Sequence, residues 1–385
     1  MSRIFYMPPT IVSGAGSLAA AGDQICRGRK ALVVTGKIVG KQACTRELLQ
    51  LLDTKGVSYD IFSDIRGEPT DTMVRAGAAA YRDGGCDFMI AVGGGSPMDL
   101  MKAVAVLLKY PGAELRDFMG QVIDGPFVPM VAIPTTAGTG SEATMFTVIT
   151  DTSTDVKMLL KGPQLIPDVA VVDPVFSATA PKSVTANTGL DALTHAVESY
   201  TSRLAQPLTD TLAVSAVKRI MAWLPRVYRD GSNLEARAQM ALAALEAGVC
   251  ITNASVTLVH GMSRPIGALF HVPHGLSNAM LLPNCLEFAL DGAYQRFADL
   301  GVATGVAAPT ASPDEAARAF LVSVQMLCKI CQVPTLAEYG IEKDAFFAQI
   351  DKMASDAIAS GSPGNTIKPV RREDCVTIYQ TLWNE

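Results

Sequence analysis

One short run, Phe88-Met89-Ile90-Ala91-Val92, followed by Gly93-Gly94-Gly95, most limits how this chain can fold. Five apolar residues in a row lack the alternation of a half-exposed strand and suit a strand covered on both faces. Three glycines at its end then force a tight, close-approaching turn. Ala31–Thr35 and Val128–Ile133 are runs of the same kind, and Ser58–Phe62 and Val169–Asp173 read as further strands. Between them Arg46–Lys55, Thr70–Gly84 and Pro97–Lys109 carry helical patterns. Alternating strand and helix predicts a doubly wound α/β domain with a parallel sheet. Residues 4–16 read as a strand and turn, with Pro8-Pro9 unsuited to the centre of a sheet. Met145–Lys161 is less regular and reads as a β-hairpin.

After Pro181 the pattern becomes helical: Ala186–Thr201, Leu208–Trp223, Asn233–Thr252, Leu276–Phe288, Ala293–Gly301, Pro313–Cys331 and Lys343–Ser360. Two domains are therefore expected, 1–181 α/β and 182–385 all-α. At 385 residues the chain is long enough for both, and its 49% hydrophobic and 18% charged composition suits a folded enzyme rather than a disordered chain. A net charge of −5 argues against nucleic acid as a partner. No apolar run is long enough to span a bilayer and the N-terminus lacks a signal-like core, so a cytoplasmic protein is expected. The eight cysteines are scattered, and even Cys328-Lys329-Ile330-Cys331 has no second pair, so buried free thiols are expected.

The first candidate site is the glycine turn. Ser96 is a good N-cap, Pro97 suits the first helical position, and Ser96 with Asp99 has capping-box spacing. Free N–H groups at such a helix start can bind a pyrophosphate. The next strand ends in Pro134-Thr135-Thr136-Ala137-Gly138-Thr139-Gly140-Ser141-Glu142. Two small, hydroxyl-rich loops on successive strand ends point to a dinucleotide crevice.

The second is Asp191-Ala192-Leu193-Thr194-His195, within an expected amphipathic helix whose apolar face holds Leu190, Leu193 and Val197. Asp191 and His195 are four apart and share a face, so they can grip one ion. The chain has four histidines, and the other three, His260, His271 and His274, fall in one segment. Pro265 and Pro273 argue against one unbroken helix there; His260 is expected to end one helix and His274 to begin the next. One Asp with up to three His suits iron(II) or zinc, with any three or four of the groups leaving a position for substrate.

These segments together resemble the iron-containing (group III) alcohol dehydrogenase family over nearly the whole chain. The resemblance rests on Gly93–Asp99, Pro134–Glu142, Gly189–Ala196, His260-Gly261-Met262 and Pro273-His274-Gly275. It implies a metal on Asp191, His195, His260 and His274. It also implies NAD(H) or NADP(H) between the two domains, near Gly94, Gly95, Ser96, Thr135, Thr136 and Thr139, with Lys157 close by. The implied activity is metal-dependent, NAD(P)-linked interconversion of a small alcohol and aldehyde by a homodimer.

Two positions depart from the family pattern. Many members end the first buried strand with an aspartate that binds the adenosine ribose, whereas this chain has Gly36-Lys37, which predicts tolerance of NADP(H). Many carry a histidine four residues after the third ligand, whereas this chain has Arg264, with His271 nearby. Arg264 predicts recognition of an anionic tail on the substrate, and His271 is the candidate proton donor. Two other readings compete: a lyase like dehydroquinate synthase, disfavoured by the scarcity of cations in the site segments, and an inactive nucleotide-binding protein.

Overall fold

The computed structural model describes residues 2–154 and 156–383. The chain divides into two units, Tyr6–Ala180, and Pro181–Glu385 together with Met1–Phe5. Residues 2–5 thus go with the helical unit rather than with the sheet.

In the first unit the apolar runs become strands of one parallel sheet. They are β1 (Thr10–Ser13), β2 (Lys30–Thr35), β3 (Ser58–Phe62), β4 (Phe88–Gly93), β5 (Met130–Pro134) and β8 (Val169–Val172), in the order β1-β8-β5-β4-β2-β3. The proline-bearing N-terminus supplies an edge strand, where a missing N–H costs least. Alternate residues feed two cores: Leu32, Val34, Met89 and Ala91 pack on one face, Ala31, Val33, Phe88 and Ile90 on the other. Helices α1 (Ala43–Thr54), α2 (Asp71–Asp83) and α3 (Gly95–Lys109) cross between the strands. β6 (Phe146–Asp151) and β7 (Val156–Lys161) form the antiparallel hairpin.

Sequence order runs outward from β2 in both directions, to β3 on one side and β4 on the other. The carboxyl ends of β2 and β4 therefore flank a topological switch point, where open α/β sheets bind ligands. Gly36 follows β2, and the triple glycine follows β4.

The second unit is helical: α4 (Lys182–Tyr200), α5 (Pro207–Arg229), α6 (Leu234–Ala254), α7 (Leu258–Phe270), α8 (His274–Ala289), α9 (Tyr294–Ala303), α10 (Pro313–Ile330), α11 (Ile350–Ala359) and α12 (Arg372–Thr381), with a short turn at Lys343–Phe347. Two expectations change here. Every residue of α4 from Gly189 to Tyr200 is buried, so this helix has no solvent face and its polar residues point inward. Pro265 lies inside α7 instead of ending it, and the break falls at His271, which takes the left-handed conformation with φ 55°. His260 accordingly sits in the first turn of a helix. Among the described residues, no single helix is long and apolar enough to cross a membrane.

Candidate metal and nucleotide sites

Asp191 and His195 lie one turn apart on α4, His260 in the first turn of α7 and His274 at the first position of α8. Nε2 of His195, His260 and His274 lies 3.8, 3.7 and 3.7 Å from Asp191 Oδ1. One ligand atom from each of the four residues lies within 4.8 Å of the others. Four donors about 2.1 Å from a common ion would be spaced by roughly 3.4 Å, close to this arrangement. The imidazoles crowd together, with ring centroids of His195 and His260 stacked at 4.6 Å and those of His260 and His274 at 5.2 Å.

Backbone contact sets this geometry. A Cβ at Gly275 would meet Asn187 O at 2.5 Å, so only glycine lets the start of α8 rest on α4 and bring His274 over Asp191. Asp191 is ionised despite being 1% exposed. Burial pushes its pKa up, but the imidazoles of His195, His274 and His260 outweigh that and hold it well below the usual carboxylate range. A buried anion facing three nitrogen donors fits a divalent iron or zinc ion.

The sequence expectations left out two further residues. Asn278 follows His274 by one turn, and its Nδ2 lies 2.7 Å from Asp191 Oδ1 and 3.0 Å from His260 Nε2. Its buried Oδ1 has no partner among the described residues, as expected of a polar group lining a site that takes a further ligand. Glu198 continues the Asp191–His195 stripe of α4 by seven positions from Asp191, and its Oε2 lies 2.5 Å from His260 Nδ1. Spacing of 0, 4 and 7 along one helix was the signal available for Glu198.

Arg264 and His271 part company. Arg264 is half-buried in α7, its charge is felt at both Glu198 and His274, and it donates to Ser362 Oγ at 3.1 Å. Glu246 is engaged by Ser215 and Arg219. Among the described residues no carboxylate lies within ion-pair distance of Arg264. His271 is exposed at the end of α7 and stands outside the four-residue cluster.

In the sheet unit the two expected loops meet. β4 and β5 pair in register, Gly93 opposite Pro134, and Thr135 N donates to Gly93 O at 2.9 Å. Cβ atoms built on Gly94 and Gly95 would lie 3.3 Å from Thr136 Oγ1 and 3.2 Å from Thr139 Cγ2. Gly94, Gly95, Ser96, Thr136 and Thr139 stay partly exposed, whereas Thr135 is buried. The helix starts two residues earlier than expected: Gly94 is the N-cap of α3, and no side chain caps it. Ser96 and Asp99 thus form no capping box. Asp99 instead accepts from Ser141 Oγ at 2.9 Å and Val148 N at 3.1 Å. The first N–H groups of α3, free of a side-chain cap, suit an anion such as pyrophosphate.

Behind these loops Lys102 of α3 is fully buried. Its ammonium donates to Ser141 O and Oγ, Thr144 O and Oγ1, and Phe146 O, at 2.7–3.1 Å. Lys157 on β7 pairs with Glu68 at 2.7 Å. A Cβ at Gly36 would meet nothing within 4 Å, while exposed Lys37 pairs with Asp64 at 3.4 Å. All eight cysteines are free thiols, seven of them buried.

Residues 8–174 match the family described as iron-containing alcohol dehydrogenase, and residues 185–383 match the C-terminal part of the Fe-containing alcohol dehydrogenase family. The chain belongs to the iron-containing alcohol dehydrogenase family. It is 41% identical over 301 residues to the probable alcohol dehydrogenase EutG of Escherichia coli (strain K12), covering 78% of this chain and 76% of that protein. The crystal structure of a 1,3-propanediol oxidoreductase superposes with a TM-score of 0.95 at 32% identity over the full length of both chains. That of sulfoacetaldehyde reductase from Bifidobacterium kashiwanohense, in complex with NAD+, does so with a TM-score of 0.87 at 27% identity over 99% of each. Membership makes this chain a metal-dependent, NAD(P)-linked oxidoreductase of alcohols and aldehydes, and leaves the lyase and inactive-protein readings without support.

Proposed function

We propose that this iron-type alcohol dehydrogenase reduces a short aldehyde bearing an anionic tail, and that Arg264 reads the tail. The observation carrying this is a half-buried guanidinium with a serine hydroxyl as partner and, among the described residues, no carboxylate, one turn beyond His260. A guanidinium so placed keeps donors for a carboxylate, sulfonate or phosphonate. Likeness to a sulfoacetaldehyde reductase supports the same substrate class.

Asp191, His195, His260 and His274 are the proposed ligands of one divalent ion, iron(II) or zinc. Gly94, Gly95, Ser96, Thr135, Thr136 and Thr139 are the proposed cradle of the nucleotide phosphates, with Gly36 facing the adenosine ribose and Lys157 near the cofactor. When bound, the metal supplies Lewis-acid stabilisation of charge on the substrate oxygen and the nicotinamide supplies the hydride. Arg264 orients the substrate by its tail, which raises the fraction of encounters with the carbonyl correctly placed. Proton delivery falls to His271, whose exposure keeps it in exchange with water. A homodimer and a cytoplasmic location complete the proposal. They rest on the resemblance and the acidic, apolar composition, and light scattering on the purified protein checks the dimer.

The test follows nicotinamide absorbance with matched anionic and neutral aldehydes of equal length. Arg264→Ala is expected to raise KM for the anionic substrate at least tenfold and to spare the neutral one. His271→Ala is expected to lower turnover for both and flatten the pH profile. Equal damage to both substrates by Arg264→Ala makes Arg264 structural and ends the charge-recognition reading.

A further inference from the structure

We infer that Glu198 is a positioning residue for the metal centre, fixing which nitrogen of His260 faces the ion. This rests on the four-residue ligand set proposed above. Glu198 is 1% exposed. Its Oε1 accepts from Thr257 Oγ1 at 2.9 Å, Val259 N at 2.6 Å and His260 N at 3.3 Å. Its Oε2 faces His260 Nδ1 at 2.5 Å. One carboxylate thus caps the start of α7 with one oxygen and holds the ring of His260 with the other.

The two oxygens are not interchangeable. Three donors converge on Oε1, so that oxygen must be an acceptor, and they stop the group from turning. Oε2 is then locked in front of Nδ1. Because an ionised carboxylate only accepts, Nδ1 must carry the ring hydrogen, and the lone pair of the neutral ring is left on Nε2. Nε2 is the atom 3.7 Å from Asp191 Oδ1, on the side where the other imidazoles gather. A carboxylate on the far nitrogen also makes an imidazole a stronger donor to metal. With Asp191, Glu198 brings two buried negative charges to the centre, which balance a divalent cation held by three neutral imidazoles.

This arrangement makes Glu198→Gln a sharp test. The three donors at Oε1 require the amide oxygen there, so the cap on α7 survives. The amide nitrogen then faces His260 Nδ1 and donates to it. Nδ1 becomes the acceptor, and the hydrogen moves to Nε2, pointing at the ligand set. A purely structural Glu198 tolerates this change; a positioning Glu198 does not.

The full-length protein is stripped of metal with a chelator and titrated with Zn2+ against a competing dye. Glu198→Gln is expected to keep the wild-type melting temperature of the stripped protein and to weaken Zn2+ binding by about 10–100-fold, as for other residues that orient a metal ligand. Nitrogen-15 NMR of the Zn2+-loaded wild type is expected to find the ring hydrogen of His260 on Nδ1 and the ion on Nε2, and this reading stands even if the variant folds poorly. Wild-type Zn2+ affinity in Glu198→Gln, or ligation through Nδ1 in the loaded wild type, overturns the inference. His260→Ala runs alongside: undiminished Zn2+ binding there refutes the ligand set itself, a different failure.

Discussion

Replacing Gly275 by Ala adds one methyl group where the start of α8 rests on α4. The added Cβ would lie 2.5 Å from Asn187 O, 3.0 Å from Asn187 C and 3.3 Å from Asp191 Cβ. Ordinary contact needs about 3.4 Å, so the backbones must part by roughly 0.9 Å. Overpacking of this kind costs about 1–3 kcal/mol. Alanine returns up to about 1 kcal/mol through its higher helix propensity. The net loss of stability is therefore small, a few degrees of melting temperature at this chain length. The effect on the centre is large, because metal–nitrogen distances tolerate only about 0.2 Å and His274 rides on the displaced end. We expect Gly275→Ala to stay folded and to bind Zn2+ at least tenfold more weakly, measured by dye competition on the stripped protein. Gly364→Ala, whose Cβ would meet nothing within 4 Å, is the control and is expected to match wild type. Unchanged Zn2+ affinity in Gly275→Ala refutes the claim that backbone contact between α4 and α8 places His274.

His260→Ala is expected to abolish stoichiometric metal binding and activity together; full metal occupancy by elemental analysis removes it from the ligand set. Gly36→Asp enters open space, so it is expected to fold normally and to weaken NADPH use more than NADH use. A wild-type preference for NAD of about a hundredfold, roughly 2.7 kcal/mol, shows that another residue discriminates. Burial pushes Glu142 up to about 7 from its ordinary 4.5, against the pull of Lys102. A raised carboxyl contributes its full stability below pH 4.5 and loses it as pH rises through 7, roughly 3 kcal/mol in all. Denaturant unfolding from pH 5 to 8 should therefore show Glu142→Gln gaining on the wild type; parallel curves mean Glu142 is not the titrating group.

The sheet was legible because burial on both faces leaves an unbroken apolar run, and such runs are rare enough to stand out. Where glycine and proline carried the reading, boundaries shifted. Gly95 is a poor helix former, yet it opens α3, because the backbone there must pass close to Thr139. Pro265 costs α7 about 3 kcal/mol of helix stability. Burial of Leu258, Val259, Met262 and Ile266 outweighs that at about 1.5–3 kcal/mol each. Helix α12 went unread because its sequence, Arg-Glu-Asp-Cys-Val-Thr-Ile-Tyr-Gln-Thr, holds only a narrow apolar stripe. At the proposed metal centre only the residue types that ligate metals stand out in the sequence. Glu198 and Asn278 contact His260 and Asp191 from other helices, so they stand out only once α4, α7 and α8 are brought together.

The five hydrogen bonds of Lys102 bear on how this enzyme can be re-engineered. They fasten α3 to Ser141, Thr144 and Phe146, so the glycine turn after β4 and the loop after β5 are tethered as one piece. Three of the five go to backbone carbonyls, which side-chain changes leave in place, and Asp99 adds bonds to Ser141 and Val148, so the pieces stay fastened while loop side chains vary. The end of β2 is different: Gly36 faces open space and Lys37 is exposed, and neither is held by that network. On the proposed nucleotide site, cofactor choice can therefore drift at Gly36 while the proposed phosphate cradle stays fixed, and a lineage can trade one nicotinamide pool for another without rebuilding the loops.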